Sequence, residues 1–184
     1  MTTTHWTFGP SDDAVLEIQT GVTGKAAKMG HRLTIAMTRW RAVVDWSGEE
    51  PASLELTADV DSLDVVDGQG GVTPLLGPEK VVARLNALKT FDAKRFPQIT
   101  FRADDITAID NGFRLDGTLE IHGESRDHSV HLRVKDEERA WRLSAESTVR
   151  QSDFGIKPYS QMLGAMKVVD EVSIAFSATR AKPS

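Results

Sequence analysis

The chain has no cysteine among its 184 residues, so neither a disulfide nor thiolate chemistry is available to it. It also lacks a positive excess: 22 lysines and arginines stand against 27 aspartates and glutamates, a net charge of −5. A nucleic-acid partner needs a basic surface and is not expected. An anionic membrane surface repels such a chain on average. No stretch approaches the roughly 20 apolar residues of a membrane span. The opening MTTTHWTFGPSDD carries no basic start, apolar core or small-residue cleavage site. It does not read as a secretory signal, and a cytoplasmic location is the expectation. The length suits a single domain, 1–184, with a real core.

What the chain has in quantity is alternation. Leu54, Leu56, Ala58 and Val60 alternate with Glu55, Thr57, Asp59 and Asp61; Phe113 to Ile121 and Trp141 to Val149 repeat the pattern. Side chains on a strand point to opposite faces in turn, so each run reads as a half-buried strand. Further strands are expected at about 14–19, 31–46 (broken near Thr38–Arg39), 98–107, 129–135 and 168–179, eight in all. Asn111–Gly112 is a hairpin turn. DGQGGVTPLLGP, from Asp67 to Pro78, is expected to be irregular. Pro78 then starts an amphipathic helix to about Phe91, with Val81, Leu85 and Leu88 turned to the body and Val82 beside them.

The expected fold class is therefore all-β: eight antiparallel strands closing into a barrel, with one helix at about 78–91. A barrel of that size is either filled by side chains or holds one small ligand. Ala58, Ala103, Gly117, Ala145, Ser147 and Ala178 share the inward phase. They either let strands pack closely or leave space for an apolar ligand.

Four motifs carry a resemblance. FDAKRFPQITF at Phe91–Phe101, GTLEIHG at Gly117–Gly123, DFGI at Asp153–Ile156 and VDEV at Val169–Val172 resemble, in order and spacing, stretches of the YceI-like family. Where that family often has an arginine two residues before the aspartate, this chain has Gln151, with Arg150 one residue back. The resemblance implies a lipocalin-like barrel whose interior takes a long isoprenoid chain, such as a polyprenyl or quinone lipid. It implies no catalysis and no cofactor.

On that reading Ile35, Leu56, Phe101, Leu115, Leu119, Leu143, Phe154 and Phe176 form the tunnel wall. The 67–78 and 153–166 loops gate it, and His31, Lys157 and Tyr159 can bond a head group at the mouth. With a turn centred near Ser125–Arg126, His122 and His131 fall on the outward phase, with His122 opposite Ser129 and His131 opposite Glu120; His128 sits by the turn. No metal site is expected from them. No Gly-x-Ser-x-Gly elbow occurs. Two alternatives stay open: an enzyme acting on a small hydrophobic substrate with His31 as general base, and a filled barrel acting as a stress-related interaction module. Trp40 or Trp46, read as outward, would suit a homodimer interface.

Overall fold

We describe a computed structural model of the protein, covering residues 3–11 and 13–183. In chain order the elements are β1 (Thr3–Phe8), β2 (Ala14–Gln19), β3 (Val22–Thr23), β4 (His31–Met37), β5 (Trp40–Ser47), β6 (Glu50–Asp59) and β7 (Leu63–Gly70). The helix α1 (Gly77–Thr90) follows, then β8 (Gln98–Ile109), β9 (Gly112–Ile121), β10 (Glu124–Asp136) and β11 (Ala140–Arg150). The chain ends with β12 (Ser160–Gln161), β13 (Met166–Val168) and β14 (Glu171–Ala181).

The main sheet is antiparallel and curls strongly into a half-barrel, with strand order β1-β5-β6-β8-β9-β10-β11-β14-β2-β4-β7. It has eleven strands where eight were expected. Three differences account for the count. The 31–46 run divides at Thr38–Arg39 into β4 and β5, which pair with different neighbours. Residues before Phe8 form β1 on the edge of β5. The third is β7, in the stretch whose glycines argued for irregularity: Asp67 to Gly70 pair with Thr34 to His31. Glycine weakens a strand but does not forbid one, and the neighbouring β4 supplies the ladder.

The inward faces meet in two apolar clusters. One gathers Phe8, Leu16, Ile35, Met37, Trp40 and Val65, and the other Phe101, Leu115, Leu119, Val149, Phe154 and Ile156. Trp40 and Trp46 lie inside, contrary to the interface reading. Pairing with Ala58 and Leu54 sets the inward phase of β5 as Trp40, Ala42, Val44 and Trp46. Trp40 is buried, and Trp46 packs 4.5 Å from Trp6, which stacks at 5.2 Å on Trp141. The Arg180 guanidinium lies 4.5 Å over the Trp6 ring. This aromatic stack, tied across β1, β5 and β11, fills the interior where those strands meet.

The helix also departs from expectation. Val81, Val82 and Leu85 are 59, 56 and 57% exposed. Arg84 Nε and Nη2 donate to the Leu63 and Asp61 carbonyls, and Lys80 Nζ donates to the Val66 carbonyl. Those bonds turn the Lys80 and Arg84 side towards β7 and roll Val81 and Leu85 out. Leu88 alone of the expected face packs on the core.

Candidate functional site

Between the two clusters the interior holds a cavity of about 410 Å³, within the size range of small-molecule sites. Its wall is overwhelmingly apolar and is drawn from the inward faces of the sheet. Ile35, Leu56, Phe101, Leu115, Leu119, Leu143, Phe154 and Phe176 all line it. Leu54, Leu132, Ile174 and Phe176 face inward yet remain only partly buried, because the cavity lies before them.

The small residues divide between the two roles open in the sequence. Ala58, Ala145 and Ser147 line the cavity. Gly117 serves close packing: a Cβ there would stand 2.2 Å from the Arg102 carbonyl oxygen and 2.9 Å from the Ala103 Cα. The β8–β9 register shifts between Ala103 and Asp105 at this point, which brings the two backbones together.

At the mouth, α1 contributes Val82, Ala83, Asn86 and Thr90. Tyr159, Gln161, Met166 and Lys167 form the facing rim, and Met29 to His31 lie beside them. The Tyr159 hydroxyl accepts from Asn86 Nδ2 at 3.1 Å and from Gln161 Nε2 at 2.6 Å, joining helix to loop. His31 Nε2 donates to the Thr73 carbonyl at 2.7 Å and pins the 71–76 loop. That nitrogen is therefore committed to the loop and does not offer a base to the cavity. Lys157 is exposed and outside the lining; Lys167 is the lysine that reaches it.

The histidines of the β9–β10 hairpin sit differently from expectation. The turn is His122–Gly123, with φ of +55° and +75°, not Ser125–Arg126. Two positive-φ residues match the twist of a two-residue hairpin. The register moves accordingly: His131 faces Arg114, and Ser125 faces Glu120. His122 packs 4.4 Å from the Phe96 ring and donates Nδ1–H to the Phe154 carbonyl. His128 falls opposite Gly117 on the inward phase and lines the cavity. Its Nε2 meets Ser147 Oγ at 2.5 Å, and it stands edge-on to Phe101. Sequence reasoning missed this residue because the turn was misplaced. The signal was there in His128, Val130, Leu132 and Val134, one phase of β10.

Burial holds the His128 imidazole below its ordinary pKa. The unfolded chain takes up this proton near pH 6.5, while the folded chain resists it until lower pH. In that window the unfolded state binds more protons, so folding stability falls as pH drops below about 6.5. His128→Gln should flatten the slope of Tm against pH between about 7.5 and 5.5 in thermal melts. Asp45, Asp59, Asp116 and Asp170, each held low by hydrogen-bonding partners, lose their contribution only around pH 4 and below, so they do not mask it. An unchanged slope would show that the cavity accepts the imidazolium.

Gln151, at the position where the family resemblance suggested arginine, is buried in the lining and donates Nε2–H to the Val169 carbonyl. Among the described residues no group of three or more His, Asp or Glu converges as a metal site. Nor is any helix of the described residues long and apolar enough to cross a membrane.

The YceI-like domain matches residues 6–180. The chain belongs to the YceI-like family. That family is one of binding proteins rather than enzymes. Among solved structures, this YceI-like chain is similar to Burkholderia cenocepacia BcnA, at 21% identity and a TM-score of 0.69, over 90% of this chain and 95% of that one. It is also similar to the Campylobacter jejuni YCEI protein, at 17% identity and a TM-score of 0.61, over 82% and 85% of the two chains. A mutant of the latter is described with a monobromobimane guest structure. A search of curated proteins finds no significant match.

Proposed function

We propose that this YceI-like chain, 1–184 acting as one binding domain, takes up an apolar chain in its interior for carriage, storage or sensing. A polyisoprenoid or isoprenoid quinone is the ligand class. The observation that carries the reading is the cavity of about 410 Å³, walled by aliphatic and aromatic side chains and reached beside α1. Each CH2 moved there from water contributes on the order of 0.8 kcal/mol, so an isoprenoid tail needs no charged anchor. His128 and Ser147 add a neutral polar pair to the wall, suited to a hydroxyl or carbonyl on the ligand. Membership of a family of binding proteins supports the same reading.

The test is native mass spectrometry of the purified protein, followed by organic extraction. The expected result is a co-purifying apolar molecule, or stoichiometric uptake of added retinol, a fluorescent isoprenoid alcohol. Protein that arrives empty and takes up no retinol would refute the proposal.

A further inference from the structure

Soluble proteins scatter exposed large apolar side chains singly; a cluster of them marks a contact surface. Here, among the described residues, nearly all of them ring the cavity mouth. Leu76, Val81, Val82 and Leu85 are on α1 or its approach. Met162 and Leu163, the latter fully exposed with φ of +55°, project from the facing rim. Met29 and Val72 complete the ring, leaving Val66 and Ile109 elsewhere.

Charge is segregated to the same place. The three mouth segments, 24–32, 71–92 and 153–170, hold eight lysines and arginines and four acidic residues, Glu79, Asp92, Asp153 and Asp170, a net of +4 in a chain whose total is −5. Lys80 and Arg84 turn their charged ends to β7 carbonyls or to that of Asp61. Lys25, Lys28, Arg32, Lys89, Lys157 and Lys167 remain exposed. The rest of the molecule is correspondingly acidic, so an anionic surface attracts one end and repels the other.

We propose that the mouth is a docking surface for an anionic lipid bilayer, entered by the outer face of α1 and the Met162–Leu163 tip. An apolar face flanked by basic side chains is the pattern of an interfacial helix. The lysines gather at the headgroups while Val81, Leu85 and Leu163 insert below them. This orientation turns the cavity opening to the membrane. It also corrects the inference from net charge: the average repels, but the distribution steers.

The test is co-sedimentation of the full chain with phosphatidylcholine vesicles, with and without a one-third share of phosphatidylglycerol. Wild type should bind the anionic vesicles and much less to the neutral ones. Val81→Asp with Leu85→Asp should weaken binding at least about tenfold while leaving Tm unchanged, because both positions are exposed. Lys28→Ala and Lys157→Ala should each cost about fivefold on anionic vesicles only. Failure of wild type to bind the anionic vesicles would overturn the proposal, as would undiminished binding of the aspartate variant. So would a change from dimer to monomer in that variant by analytical ultracentrifugation, which would assign the face to a second copy of the chain. Docking needs no occupant in the cavity, so a variant that excludes retinol should still sediment with vesicles.

Discussion

Ala145→Phe should weaken retinol binding on the order of 100-fold while the protein stays folded. Ala145 lies on β11 between Leu132 and Phe176, and its side chain faces the cavity. A phenyl ring there extends into empty volume, not into packed neighbours, so the usual cost of overpacking does not arise. Burial of the ring should leave stability equal to wild type or higher by up to about 2 kcal/mol. The same ring displaces three or four methylene equivalents of ligand. At about 0.8 kcal/mol each, affinity should drop on the order of 100-fold. Retinol fluorescence titration measures the affinity, and a thermal melt checks the fold. Unchanged affinity would mean that the ligand does not occupy the space in front of β11, and the tunnel reading would fall.

The choice of Ala145 depends on structure, although its inward phase was legible in the sequence. Alternation is local, so the wall residues from Ile35 to Phe176 could be phased one strand at a time. Their placement on a common cavity is consistent with that phasing. What alternation does not contain is the register between strands, which turns decide. Asn111–Gly112 is a strong turn signal and marks the right hairpin, although the two turn residues are Asp110 and Asn111, with Gly112 opening β9 opposite Ile109. His122–Gly123 is a two-residue turn with both residues at positive φ, and a histidine in left-handed conformation is no turn signal in the sequence. The resulting slip placed His128 beside the turn, when it faces the cavity with Ser147.

The helix shows a second limit. Its period was readable and its extent nearly so, but the burial of an amphipathic face depends on what the helix covers. Here α1 lies beside a cavity mouth, where Ala83, Asn86 and Ala87 suffice as lining. Arg84 and Lys80, off the expected inner face, are what hold it to the sheet. Val81 and Leu85 of the expected inner face are thereby free to meet another surface. Likewise, β7 was illegible because its pairing comes from β4, some 30 residues earlier in the chain.

Gly117 gives the opposite result to Ala145. Both are small and share the inward phase, and the sequence offers no way to tell them apart. At Gly117 the atoms that a Cβ would meet are backbone, the Arg102 carbonyl and the Ala103 Cα, and no flexible side chain can swing aside. Relief would require opening the β8–β9 ladder beside its register shift, next to buried Phe101 and Leu115. Gly117→Ala should therefore cost about 3 kcal/mol, at the upper end for overpacking, measured as a lowered midpoint in urea unfolding. Gly117→Phe should not fold, since ladder disruption on that scale consumes most of the roughly 5–15 kcal/mol that stabilises a domain. A Gly117→Ala midpoint equal to wild type would show that β8 and β9 stand further apart here. Gly117 would then rejoin Ala145 as a residue kept small for the ligand.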